Sequence, residues 1–223
     1  MKINEILLEG TVENIGIIND IVSIVKRDTV KQLPKNQIYT FFKWNTKELE
    51  QLAQAYDSEK ITTALSNIGK LKIIFDNTEK NKNADQSGFY NNENKTIVIN
   101  VSKIKSSSDV INLRKNNEVT KKIWQTVFHE LRHYFQFGEY GKYIDTLKGK
   151  DWATKPTEWD ALWSDLLYKH SPTTVDSSVR YAKMIVGELN NILTSKAPYK
   201  PLSDRDYKNY LRKTAAYHQE KTG

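Results

Sequence analysis

The 223-residue chain has no cysteine and only five prolines. Without thiols it can form no disulfide and cannot bind a metal through cysteine. No apolar run approaches the roughly 18 residues that a membrane-spanning helix requires. The amino-terminal segment carries Glu5 and Glu9 and lacks the apolar core of a signal peptide, so we expect a cytoplasmic protein without a membrane anchor.

The excess of basic residues is modest, with 34 lysines and arginines against 27 acidic residues and a net charge of +7. The lysines are dispersed, and no nucleic-acid-binding module is recognisable. Nucleic acid is therefore not expected as the main partner. A hydrophobic fraction of 38% is ample for the core of one compact domain.

Histidine is also scarce, and two of the four histidines lie close together in the segment His129-Glu130-Leu131-Arg132-His133. Residues at positions i and i+4 share one face of a helix, so the two imidazoles can bind one zinc ion. The intervening Glu130 then lies beside the position of a zinc-bound water, whose pKa falls to about 7. The pattern predicts zinc ligands at His129 and His133 and a general base at Glu130.

A helix around this motif is predicted from its apolar spacing. An apolar residue recurs every four positions at Val119, Ile123, Val127 and Leu131, which indicates an amphipathic helix over 118–137. Asn116 or Asn117 would cap its start, and Gly138 would end it. The histidines flank the apolar stripe, and the polar arc opposite is expected to contain Lys121, Gln125, Arg132 and Gln136. The alternative is an amphipathic helix that carries two histidines by chance.

A third ligand is expected at Glu158, 25 positions after His133 and in the first turn of a helix predicted from Pro156 to Tyr168. This separation leaves room for a loop and a returning helix. The alternative role for Glu158 is a carboxylate that only complements the helix dipole. Asp160, two residues further, is expected to be either a partner of a ligand or a surface charge.

The segments HELRHYFQ and PTEWDA together resemble the short gluzincins, in which HExxH is followed on a second helix by Glu-x-x-Ala. They are most similar to small metallopeptidase domains of phages and mobile elements, and the likeness covers roughly residues 70–170. It implies that His129, His133 and Glu158 bind zinc and that Glu130 is the general base. Ala161 matches the small residue that lets the second helix approach. Position 162 is leucine, so the Glu-x-x-x-Asp of larger gluzincins is absent.

The resemblance implies an α+β, zincin-like fold with a small mixed sheet on the HExxH helix. Strands are predicted at Leu71–Phe75 and in a hairpin of Gly88–Tyr90 with Thr96–Asn100. In zincins an edge strand binds an extended peptide, but the residues do not indicate which strand is the edge. We expect residues 1–69 to form a mostly helical region, 70–172 the catalytic core, and 173–223 further helices. Those flanking elements are predicted as helices at 14–31, 45–56, 58–68, 177–194 and from 203, a strand at 38–43, and connectors at 76–87 and 102–117.

The function expected from these residues is hydrolysis of peptide bonds with one Zn²⁺ and a peptide or protein as substrate. Two alternatives remain: a zinc-binding structural or virion-associated protein with a vestigial or self-directed site, and an effector or toxin protease with one substrate. The residue that stabilises the oxyanion is not identified by the sequence. Candidates by residue type are Tyr168, His170, Tyr207, Tyr210 and His218. Oligomeric state is left open.

Overall fold

The protein is described from a computed structural model, over residues 11–55, 59–78, 86–104, 110–145, 156–195 and 200–223. The helices in these ranges are α1 (Thr11–Asp28), α2 (Thr46–Ala55), α3 (Glu59–Ile68), α4 (Val101–Ile104), α5 (Glu118–Asp145), α6 (Pro156–Lys169), α7 (Ser178–Ser195) and α8 (Asp204–Thr222). The strands are β1 (Gln32–Pro34), β2 (Ile38–Phe41), β3 (Lys72–Asp76), β4 (Gly88–Asn91), β5 (Thr96–Asn100) and β6 (Val110–Asn112). The chain therefore belongs to the α+β class, as predicted.

Four of the strands form a mixed sheet with the order β2-β3-β5-β4. β3 and β5 run parallel, while β2 and β4 are antiparallel to their neighbours. The predicted hairpin is confirmed as β4 and β5, and the sheet edges within the described residues are β2 and β4.

The two faces of this sheet differ because side chains alternate along each strand. Ile73, Phe75, Ile97 and Ile99 point to one face and are fully buried. The opposite face carries one row of residues paired across all four strands, namely Thr40, Ile74, Val98 and Phe89. This outer row is only partly covered, and Phe89 at its end is 41% exposed.

The buried face of the sheet packs on α5 through aromatic side chains. The Phe75 ring meets Trp124 edge-on, with ring centroids 5.7 Å apart. The Tyr90 ring contacts Tyr134 and Phe137 at 5.7 and 5.6 Å. Tyr134 in turn donates a hydrogen bond to the carbonyl of Ala64 at 2.7 Å, which ties α5 to α3. These contacts place β4 along the middle of α5, where the HExxH motif lies.

A second, two-stranded sheet pairs β1 with β6. The sequence did not predict either strand, since both are three residues long and lie in polar segments. Arg114, just after β6, donates hydrogen bonds to the carbonyls of Arg27 and Thr29 at 2.9 and 3.1 Å. The segment predicted as a connector thus contains α4 and β6, while 105–109 and part of 76–87 lie outside the described residues.

The chain divides into two compact units, of which the first is Gly16–Gly141 and contains both sheets. The second comprises Lys142–Gly223 and the described residues before Gly16, and there α7 packs on α6 and α8. In its core Trp163 donates a hydrogen bond to the Thr214 hydroxyl at 2.9 Å, and Thr214 donates to the Tyr210 carbonyl at 2.7 Å. No described helix has an apolar stretch long enough to cross a bilayer.

Candidate metal centre

The helix that carries the motif begins as predicted and ends later. The Asn117 side chain accepts a hydrogen bond from the Thr120 amide at 2.9 Å, which confirms Asn117 as the capping residue. At the other end α5 passes through Gly138 and continues to Asp145, so the predicted end at Gly138 is wrong. A glycine inside a helix lowers the stability of that helix by only about 1 kcal/mol relative to alanine. A helix of 28 residues tolerates this loss.

The rings of His129 and His133 lie side by side on α5, with their Nε2 atoms 3.2 Å apart. Two ligand atoms of one tetrahedral zinc ion, each about 2.05 Å from the metal, are about 3.3 Å apart. Two ring nitrogens at 3.2 Å also repel each other through their lone pairs unless they share a proton or a cation. The pair therefore has both the spacing and the chemistry of two ligands to one ion.

The carboxylate of Glu158 joins these two rings. Glu158 lies in the first turn of α6, and the ligand atoms of His129, His133 and Glu158 all lie within 4.8 Å of one another. All three side chains are half-buried. Two imidazoles and one carboxylate are the ligands of a known type of catalytic zinc site, which keeps a fourth position open. The group that the sequence predicted could therefore hold a metal ion.

Gln136 orients the second histidine. Its Oε1 lies 2.8 Å from Nδ1 of His133, and its side chain is fully buried. An amide oxygen can only accept, so Nδ1 of His133 carries the proton and Nε2 keeps its lone pair for a cation. Metal-binding histidines generally have such a partner on the second ring nitrogen. The sequence contains Gln136 at the end of the HELRHYFQ segment but gave no reason to assign it this contact.

Glu130 points towards the edge strand β4. Its side chain is only 5% exposed, which is rare for a carboxylate. A Cβ added to Gly88 of β4 would lie 3.2 Å from Oε1 of Glu130 and 2.6 Å from Cγ2 of Thr126. Because no real side chain tolerates the second distance, only glycine allows the strand to lie this close to α5. Gly88 was predicted as part of a strand, but nothing in the sequence marked it as a neighbour of Glu130.

Several polar residues of α5 and α6 are buried. Arg132 and Gln136, which the sequence places on the polar arc of α5, are both fully buried. The amphipathic pattern of one helix shows which face is apolar, and it does not show that the rest of the protein also covers the polar arc. Asp160 is 1% exposed, so it is not a surface charge. Ala161 is fully buried.

Three of the candidate oxyanion donors have other contacts. His218 is buried, and its Nε2 donates to the Thr173 carbonyl at 3.1 Å. His170 lies 2.9 Å from a carboxylate oxygen of Glu188. The Tyr210 ring packs on Trp163 with centroids 5.5 Å apart. These contacts account for the three side chains as packing or ion-pair residues, and Tyr168 and Tyr207 stay candidates by residue type.

Comparisons of the chain with protein-family models, with curated proteins and with solved structures found no match. The resemblance to gluzincins therefore stays a prediction from the motif residues.

Proposed function

We propose that the protein is a zinc-dependent peptidase in which His129, His133 and Glu158 bind the metal and Glu130 is the general base. The observation that carries this proposal is the convergence of three ligand atoms within 4.8 Å from positions 25 residues apart in sequence. An amphipathic helix with two histidines by chance has no reason to meet a distant carboxylate. The buried carboxylate of Glu130, next to His129 in sequence, supports a catalytic rather than a purely structural metal site.

In this mechanism the protein residues bind, orient and move protons. A zinc ion at the three ligands would supply a water with a pKa near 7 and would polarise the scissile carbonyl. Glu130 takes the proton of the attacking water and later transfers it to the nitrogen of the leaving amine. Gln136 keeps the proton of His133 on Nδ1, so Nε2 stays available as a ligand.

Strand β4 offers a surface for an extended peptide beside Glu130. The Asn100 amide donates to the Ser87 carbonyl at 2.8 Å, so these two residues form a hydrogen-bonded pair. Hydrogen-bonded pairs alternate, so Phe89 directs its backbone groups towards β5, while Gly88 and Tyr90 direct theirs away from it. A peptide strand could pair with these outward groups through the main chain alone. Substrate binding at this edge would bring a peptide bond next to Glu130.

The test compares metal content and cleavage in three proteins. The wild type is expected to contain one zinc ion and to cleave a mixed peptide library. Glu130→Gln should keep the zinc and lose turnover by several orders of magnitude, because only the base is changed. Glu158→Ala should bind zinc much more weakly, because a ligand is lost. Metal analysis and mass spectrometry of the peptides provide the readouts.

The matched control is Glu118→Gln, which changes an exposed carboxylate at the start of α5, the helix that carries Glu130. It should leave zinc content and turnover unchanged. Zinc without cleavage of any peptide would favour a structural metal protein. Cleavage of one protein in a lysate, with no digestion of the library, would favour a protease with a single substrate. Unchanged zinc content in Glu158→Ala would remove Glu158 from the ligands.

A further inference from the structure

The outer row of the four-stranded sheet ends at the same edge strand that passes Glu130. Thr40, Ile74, Val98 and Phe89 occupy successive strands in direct register and point to one face. Three of the four are apolar, and the exposed ring of Phe89 ends the row on β4. No further strand continues the row beyond Phe89 in the described part of the chain.

We infer that Phe89 selects an apolar residue at one position of an extended peptide bound along β4. This inference rests on the proposed function and names a substrate preference of the same site. A strand added to β4 places one residue directly opposite Phe89, with its side chain on the outer face. That residue becomes the fifth member of the row and meets the phenyl ring at its exposed side.

The pairing pattern brings these two side chains close together. In an antiparallel strand added to β4, the residues opposite Gly88 and Tyr90 form hydrogen-bonded pairs, since those two backbones point outward. The residue opposite Phe89 then belongs to a non-hydrogen-bonded pair, whose Cα atoms are only about 4.5 Å apart. Side chains approach most closely in such pairs, and an aromatic ring favours an aromatic or β-branched partner there.

The adjacent position has a different requirement. A peptide residue opposite Gly88 has its side chain on the inner face, towards α5 and Glu130. Because Gly88 has no side chain, none stands between that peptide residue and Glu130. The preferred apolar residue is therefore next to the one nearest Glu130, within about two residues of the cleaved bond.

The test measures peptide binding rather than turnover, so that it does not depend on catalysis. Zinc-loaded Glu130→Gln protein is titrated with ten-residue peptides in which each position in turn is Phe or Glu. At one position Phe should bind about two- to fivefold more tightly than Glu. In Glu130→Gln/Phe89→Lys the preference at that position should invert, because a lysine beside the peptide attracts a carboxylate. Fluorescence anisotropy provides the affinities.

The control is Glu130→Gln/Val179→Lys, which adds the same charge at an exposed apolar residue of α7. It should retain the preference for Phe. Circular dichroism checks that both variants fold, which is expected because both replaced side chains are exposed. An unchanged preference in the Phe89→Lys protein, or no binding of any peptide, would overturn the inference. Cleavage by the wild type is measured separately, and its absence would refute the proposed function without deciding the preference.

Discussion

One buried amide, that of Gln136, accepts a hydrogen bond from Nδ1 of His133 and leaves Nε2 as the ring nitrogen beside His129. We predict that Gln136→Leu lowers zinc affinity about 10- to 100-fold, because Nδ1 loses the acceptor that holds its proton. Gln136→Glu should retain or increase the affinity, since a carboxylate accepts the same hydrogen bond. Competition with a chromogenic chelator measures the affinity of each variant.

A general loss of packing would also weaken the site, so a second glutamine serves as control. Gln125→Leu removes a half-buried amide from the same helix, one turn before His129 and outside the HExxH segment. It should bind zinc like the wild type. If Gln136→Leu keeps the wild-type affinity, or if Gln136→Glu is as weak as Gln136→Leu, the positioning role is refuted.

At this scale the sequence predicted the residues of the motif better than their neighbours. The grouping of His129, His133 and Glu158 could be predicted because ligand chemistry restricts both residue type and spacing. The contact of Gly88 with Glu130 depends on how a strand crosses a helix, and no local pattern encodes that. The burial of Arg132 was missed for a similar reason, since it depends on what covers the polar arc of α5.

At the scale of elements, β4 and α5 meet at a contact too tight for a side chain. We predict that Gly88→Ala lowers the free energy of unfolding by about 1–3 kcal/mol, because the new methyl group overlaps the Thr126 methyl. Thr126→Ser removes that methyl and keeps the hydroxyl that donates to the Lys122 carbonyl. The double variant should therefore regain most of the lost stability. Urea unfolding of the four proteins forms a double-mutant cycle.

An absence of coupling in this cycle would show that the strand does not lie so close to the helix. Turnover gives a second readout, since the added Cβ would also crowd Glu130 at 3.2 Å. Gly187→Ala on α7 is the matched control, because a Cβ there meets nothing within 4 Å. It should not destabilise the protein.

An ion pair joins α6 to α7, with Nζ of Lys169 2.6 Å from Oε1 of Glu188. Burial by itself raises the pKa of Glu188. The hydrogen bond and charge of Lys169, together with the nearby His170, lower that pKa by more than burial raises it, so the net pKa lies below 4.5. A carboxyl group whose pKa is lower in the folded state stabilises the fold above its unfolded pKa. That stabilisation is lost as the pH falls through the folded pKa.

We predict that Glu188→Gln lowers the free energy of unfolding at pH 7 by a few tenths to about 1 kcal/mol, the range for partly exposed pairs. The difference in stability between the two proteins should disappear as the pH falls through the folded pKa of Glu188, because the carboxyl group is then uncharged in both states. Urea unfolding across this pH range measures the difference. A difference in stability that stays the same at all pH values would show that the charge of Glu188 does not stabilise the fold. The control is Glu50→Gln, which changes an exposed carboxylate.

Most elements could be predicted because each has a clear apolar period. The predicted helices at 45–56 and 58–68 and the strand at Leu71–Phe75 agree with α2, α3 and β3 within one residue at each end. β1 and β6 were missed, because a three-residue strand has no recognisable alternation. The order of strands was also beyond prediction, since pairing depends on contacts between distant segments rather than on local pattern.

For the whole molecule, zinc binding should appear as a gain in stability. A ligand that binds only the folded state stabilises it by about 2.7 kcal/mol at a concentration one hundred times its dissociation constant. We predict that zinc raises the melting temperature by several degrees and that chelation reverses the rise. His133→Ala and Glu158→Ala should show little of this gain. Calorimetry with and without chelator measures the gain, and a shift as large as that of the wild type in either variant would exclude the replaced residue as a ligand.

Strand β4 is only four residues long, or about 13 Å. A partner that pairs with it must offer main-chain groups not already engaged in its own helices or sheets. Native globular proteins expose few such stretches, whereas unfolding chains, termini and long loops expose many. Under the proposed function, strand β4 would therefore select substrates first by whether they present an unfolded or extended segment. Their side chains would matter only after that.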